Sequence, residues 1–257
     1  MISKLFRVAT LSLSSIAVLG TLLWTLPAHA ATGCSNTILT GRYGFLINGT
    51  SNGNPITVVG QIATNGTGNL DGTETVSENG TIAEDVAVLG EYKINSNCTG
   101  KMTIRPAGKP KRDFRIAVAS GGNEIAMIET DDGTTESGVA QTTGTKRCST
   151  SGVKGAYALQ GSGAEIGVGP LAFAGLINFH GNGTLGGSET VSVNGSVSSP
   201  QKISGAYKIG KQCYGKAVIQ VGNEGPIHLN VVVVNGEKGL FFIEADANSL
   251  ISGSLLQ

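Results

Sequence analysis

The sequence predicts an all-β protein made of two tandem eight-stranded antiparallel up-and-down barrels, with a pair of β-sandwiches as the alternative. Three observations predict it. The chain matches itself at an offset of 115 residues. Short turn signals cut each copy into eight segments. Along those segments apolar and polar residues alternate with the period of two expected of a half-buried strand.

Residues 1–30 read as an export signal. Lys4 and Arg7 give a positive start, an apolar run from Ile16 to Leu26 follows, and Ala28-His29-Ala30 is the small-x-small pattern that signal peptidase cuts. The run is short and interrupted by Ser and Thr, whereas a membrane span takes about twenty apolar residues. Cleavage after Ala30 is therefore expected to leave a secreted or periplasmic product with no membrane span. It removes two cations, no acid and Trp24, the only tryptophan, taking the formal charge from 0 to −2. A near-neutral chain without a basic block offers no electrostatic footprint for nucleic acid or an anionic membrane.

The internal match is dense. Pro55 falls on Pro170, Gly60 on Gly175, Leu70 on Leu185, Glu74-Thr75-Val76 on Glu189-Thr190-Val191, Asn79-Gly80 on Asn194-Gly195, Tyr92 on Tyr207, Cys98 on Cys213 and Glu129 on Glu244. Near the start of each copy the offset is 114, which pairs Cys34 with Cys148 and Tyr43 with Tyr157. Copy one is taken as residues 31–146 and copy two as 147–257. Two long copies argue for paired globular units, because a solenoid needs at least about three short repeats to bury a core.

In copy one, turn signals fall at 48–55, 65–68, 78–83, 95–99, 106–111, 120–123 and 131–135, and they separate eight strands. Connections this short make neighbouring strands antiparallel. Tyr43, Phe45 and Ile47 share one face of the first strand, with Arg42, Gly44 and Leu46 on the other. Met102 and Ile104 oppose Lys101, Thr103 and Arg105, and Phe114, Ile116 and Val118 oppose Arg115 and Ala117. Closure into a barrel removes the edges that an open sheet would expose. An outer-membrane barrel is excluded by outward Arg42, Gln61, Glu91, Lys93, Lys101 and Arg105, since a charge at the bilayer midplane costs about 2–4 kcal/mol.

Each copy carries one cysteine before its first strand and one in the turn after its fourth. The separations, Cys34 to Cys98 and Cys148 to Cys213, are 64 and 65 residues. Four cysteines allow three connectivities, but the matched spacing points to pairing within each copy. In an up-and-down barrel both members would lie at one end, with residues 35–40 crossing the floor. Zinc would require clustered ligands, and none are present.

The Gly-x-Tyr-x-Phe run at 41–45, the Gly66-Thr67-Gly68-Asn69-Leu70-x-Gly72 hairpin, the Gly90-x-Tyr92 strand and the closing Ser137-Gly138 segment carry a resemblance. They resemble repeat domains of secreted bacterial proteins of unassigned function, whose barrel is similar in outline to calycins and allene oxide cyclase-like domains. Gly-x-Tyr stands where lipocalins and avidins carry Gly-x-Trp. The resemblance implies a fold and transfers no catalytic or ligand residue. In a bacterial setting the six Asn-x-Ser/Thr sequons, at Asn48, Asn65, Asn79, Asn97, Asn182 and Asn194, serve as turns.

Catalytic, metal and cofactor motifs do not emerge. His180 and His228 are isolated, and no Gly-x-Ser-x-Gly elbow precedes a helix. The candidate site residues are Glu74 and Glu189, which alternation points into their barrels. Inward Tyr43, Tyr92, Tyr157 and Tyr207 are expected to hydrogen-bond them or to line a ligand site with them. The expected function is a binding or interaction module for a small apolar ligand, the alternative an isomerase or cyclase acting on a small lipophilic substrate. Outward Val232, Val234, Phe241 and Ile243 of copy two are apolar like their inward neighbours. That face is expected to be covered by copy one, whose corresponding strands carry Ala117, Ala126 and Ile128, or by a second chain in a homodimer.

Overall fold

The computed structural model describes residues 33–144 and 146–257, so the export-signal reading of residues 1–30 lies outside the described residues. The first barrel runs β1 (Thr40–Ser51), β2 (Asn54–Asn65), β3 (Asn69–Glu78), β4 (Thr81–Ile94), β5 (Thr99–Pro106), β6 (Arg112–Ala119), β7 (Glu124–Glu129) and β8 (Ser137–Thr142). Each strand pairs antiparallel with the next, and β8 returns to β1 to close the ring. The second runs β9 (Lys154–Glu165), β10 (Gly169–His180), β11 (Thr184–Val193), β12 (Ser196–Val197), β13 (Gln201–Ile209), β14 (Tyr214–Val221), β15 (Pro226–Val234), β16 (Gly239–Glu244) and β17 (Ser252–Leu256). Its ring closes through β17 on β9. The short β12 and β13 together take the place of β4; Pro200, with no N–H to donate, falls in the break. Both ladders close, so the barrel holds and the sandwich alternative falls.

Alternation sets the cores. Along β6, Arg112, Phe114, Ile116 and Val118 are buried while Arg115, Ala117 and Ala119 are exposed. Tyr43, Phe45 and Ile47 enter the first core and Tyr157 and Leu159 the second. Asn79-Gly80 and Asn194-Gly195 form two-residue turns with both φ positive, 48° and 76° in one and 51° and 82° in the other, the geometry that matches strand twist. Asn65 departs from that geometry. Its Oδ1 instead accepts from the N–H of Thr67 at 2.9 Å and of Asn69 at 3.2 Å, while Gly66 takes the positive φ. β1 and β2 extend to Ser51 and Asn54, so the loop expected over 48–55 shrinks to two residues.

Both disulfides form as the spacing predicts, with Cα–Cα distances of 5.0 Å for Cys34–Cys98 and 4.9 Å for Cys148–Cys213. Each pins a segment that crosses the barrel floor. In the first barrel it leads to a single 3-10 turn, Asn36–Ile38, and the fully buried Leu39. In the second it leads to the fully buried Val153.

The outward faces of β15 and β16 pack on the first barrel. Val232, Val234, Phe241 and Ile243 form a third apolar cluster with Val59, flanked by Leu46, Val139 and Tyr214. The cover comes from β1, β2 and β8, not from the strands bearing Ala117, Ala126 and Ile128, which stay exposed, Ile128 at 55%. Gly44 explains the choice. A Cβ there would lie 2.5 Å from Val232 Cγ1 and 2.6 Å from Val234 Cγ1, so only a bare backbone admits the two valines. Gln61, expected to face water, is 5% exposed because it sits on this covered face. Around the apolar patch, Asn230 Nδ2 donates to Thr75 Oγ1 at 2.9 Å and to Glu84 Oε2 at 2.8 Å, where Lys216 Nζ also donates at 2.8 Å.

Truncating a buried Phe costs about 3–5 kcal/mol. The full chain is expected to unfold in one calorimetric transition, and Phe241→Ala is expected to lose that much stability and to split the transition into two. A Gly44→Val variant should do the same through overpacking. One unsplit transition at the parental midpoint in both variants would overturn this account of the interface.

Candidate functional site

The four inward tyrosines gather at the floor, away from the glutamates. Tyr92 Oη donates to the Leu39 carbonyl at 2.9 Å and accepts from the Gly66 N–H at 2.9 Å. Tyr207 repeats the arrangement, donating to Val153 O at 2.6 Å and accepting from Gly181 N–H at 3.0 Å. Tyr43 donates to Gly122 O at 2.7 Å and Tyr157 to Glu237 O at 2.5 Å. Burial raises all four hydroxyls, those of Tyr43 and Tyr157 to about 12. The expected Glu–Tyr hydrogen bond is therefore not formed. The hydroxyls instead bond floor carbonyls, and only that of Leu39 also accepts a backbone N–H, from Gly66 at 3.1 Å.

Glu74 does point inward, and at 1% exposure it is among the most buried charged groups described. Its partner is Arg112, whose guanidinium lies 2.5 Å from Glu74 Oε2 and 3.9 Å from Glu136 Oε2. The guanidinium stands 5.9 Å from the Phe114 ring centroid, a cation–π distance. Burial raises the Glu74 carboxyl, and Arg112 opposes that rise. Burial first, and the neighbouring Glu136 second, push Glu129 up to about 8, and burial raises Glu136 as well. Three acids and one cation thus occupy the interior of the first barrel. Parity on β6 was enough to place Arg112 inward, because Phe114, Ile116 and Val118 share its face.

The second barrel keeps only part of this cluster. At the 115-residue offset Glu189 and Glu244 stand for Glu74 and Glu129, but Ile227 stands for Arg112 and Ile251 for Glu136. A cavity of about 430 Å³ opens among these residues. Its walls are apolar, with Phe173, Phe179, Leu185, Ile219 and Phe242 prominent, and Tyr207 contributes its ring from below. Glu189, 6% exposed, projects into it. Burial, with Glu224 nearby, raises Glu189 to about 7, and no hydrogen bond or cation opposes the shift. Glu244 also rises to about 7 through burial and the charges of Asp246, Glu165 and Glu224, eased by the Ser249 hydroxyl. Near the mouth, His228 Nδ1 meets Asp246 Oδ1 at 2.8 Å, an exposed pair. Among the described residues no group of three or more His, Cys, Asp or Glu could hold a metal ion.

Fold and site together define a class: a disulfide-closed double β-barrel with one charged, filled interior and one apolar, acid-bearing cavity. Compared with protein-family models, curated proteins and solved structures, the chain has no match.

Removing one partner of a buried ion pair costs about 3–5 kcal/mol, and Arg112→Met should destabilise the first barrel by that order near neutral pH. Glu129 carries a pH signature as well. Its folded pKa, about 8, lies above the ordinary 4.5, so the stability it contributes is complete below 4.5 and lost as pH rises through about 8. Urea unfolding should give a lower midpoint at pH 8 than at pH 5, with a shallower slope for Glu129→Gln. Identical slopes in parent and variant would contradict the raised Glu129 carboxyl.

Proposed function

We propose that the protein is an exported binding module whose second barrel holds one small, largely apolar ligand, with the first barrel as its support. The cavity carries this reading. At about 430 Å³ it falls within the range of small-molecule sites, and its apolar walls with a few convergent polar groups are what such sites present. Exposed Val168 and Val197 beside the mouth give an apolar entry. The loop 245–251 at that mouth is held by the first barrel: Asn248 N–H donates to Gly80 O at 2.8 Å, and the Ser77 hydroxyl donates to Ser249 O. Two intrachain disulfides, together with the export signal read from the sequence of residues 1–30, favour an oxidising compartment, secreted or periplasmic.

An isomerase or cyclase acting on a small lipophilic substrate is the second reading. One observation favours it: carboxyls raised to about 7, as Glu189 and Glu244 are, suit proton transfer at neutral pH. In that case the ligand would be turned over rather than retained.

Native mass spectrometry of protein purified from its own host is expected to find a retained small molecule. An apolar fluorophore, N-phenyl-1-naphthylamine, should brighten on binding the full chain. Ala217 faces the cavity where the first barrel carries Met102. Ala217→Met should weaken the fluorophore and Ala217→Phe should abolish its binding. A parent that never brightens the probe, or filling variants that bind it unchanged, would defeat the proposal.

A further inference from the structure

We infer that the ligand of the second barrel is a cation on an apolar body, an alkyl or aryl amine, with its ammonium at Glu189 and Glu244 and its body among the phenylalanines. The inference rests on the cavity reading above and adds the chemical class. Three observations lead to it.

The cavity lining holds five carboxylates, Glu165, Glu189, Glu224, Glu244 and Asp246, and no Lys, Arg or His. Glu165 and Glu224 are exposed and Asp246 is paired with His228, so a neutral or anionic ligand would leave the inner Glu189 and Glu244 unanswered. Glu189 is the sharper case, because it is 6% exposed and neither hydrogen bond nor cation compensates it. An isolated buried carboxylate is costly and either protonates or acquires a cation.

The first barrel indicates which cation would fit. There the equivalent carboxylate, Glu74, is answered by Arg112: a positive head on an aliphatic stem, over an aromatic ring and inside the barrel. The second barrel replaces that arginine with Ile227 and retains the acid. One barrel therefore carries its interior cation on its own chain, whereas the other has the receiving acid and an empty space. Phe173 and Phe242, with centroids 6.2 Å apart in the wall, add the π surfaces on which an ammonium group is held.

Proton linkage follows from the groups around the acids. Glu224 faces Glu189; Asp246, Glu165 and Glu224 face Glu244, with the Ser249 hydroxyl as donor; His228 is tied to Asp246 at the rim. Because the charges facing the two acids are all negative, an ammonium must draw both towards ionisation, and binding should weaken as pH falls through about 7.

Octylamine, octanol and octanoate share one chain and differ in charge. Each is used to displace N-phenyl-1-naphthylamine from the full-length protein at about pH 8 and about pH 5.5. At the higher pH octylamine should win over octanol by about tenfold or more, the equivalent of one pKa unit, with octanoate weakest. The advantage should shrink at the lower pH. Glu189→Gln should let octylamine and octanol displace the fluorophore alike, removing the preference. Ile227→Arg, which supplies the cation internally, should abolish it and raise the melting temperature. Should octanol or octanoate match octylamine on the parent protein, the amine inference is overturned and the cavity reading stands. Should neither the fluorophore nor any of the three bind, the cavity reading itself fails.

Discussion

From Asn230 onward β15, and β16 from Gly239 to Ile243, are buried on both faces, and the rest of the molecule is arranged around that constraint. Inward, Val231, Val233, Leu240 and Phe242 belong to the second barrel's core; outward, Val232, Val234, Phe241 and Ile243 meet Val59 of the first. An antiparallel strand with one wet face needs only one cover, but these two need two. Each large side chain left bare would forfeit about 1.5–3 kcal/mol. The first barrel supplies the second cover, and glycine at position 44 is what lets its surface come close enough. The contact then extends along the side of both barrels to Gly80 and Asn248, fixing the loop at the cavity mouth.

Polarity runs along each barrel axis. At the floor a disulfide, a tyrosine hydroxyl and a short crossing segment close the end, with the same hydrogen-bond pattern at Tyr92 and Tyr207. At Tyr207 the hydroxyl links the Val153 carbonyl to the Gly181 N–H, and at Tyr92 it adds to a direct bond from the Gly66 N–H to the Leu39 carbonyl, so losing either hydroxyl removes bonds to buried backbone groups. The opposite end has no such closure. There the two barrels differ, one filled by Arg112 and its acids and the other open around Glu189 and Glu244.

Much of this was legible in the sequence. Strand count, closure, both disulfides, the inward direction of Glu74 and Glu189 and the apolar outer face of β15 and β16 follow from period-two alternation and from matched spacing. The tyrosine partners were not legible, because parity gives the face of a residue and not its height along the barrel axis. Tyr92 and Glu74 both point inward but sit at different levels, and their distance depends on strand shear. The covering surface was missed for a related reason: alternation marks a sheet face that needs a neighbour without saying which surface has the complementary shape. Gly44 was read simply as an outward residue, and only the approach of Val232 gives its lack of a side chain a meaning.

The distribution of buried charge makes the second barrel the more informative half. A carboxylate inside an apolar barrel is costly unless it protonates or meets a compensating partner. In the first barrel the partner is visible, and it occupies the interior: Arg112 binds Glu74 and approaches Glu136, while burial and Glu136 raise Glu129. In the second, two acids remain at the corresponding positions while the cation and the third acid have become isoleucines. Isoleucine at 227 and 251 removes the internal partner and keeps the walls apolar, so the remaining charge faces open space rather than a neighbour. Simple loss of an ion cluster would have been more stable with the glutamates gone as well, since an apolar replacement of a whole buried ionic group is often neutral or stabilising. Retaining Glu189 and Glu244 without Arg112's counterpart is the arrangement of a site that expects its counter-charge from outside the chain.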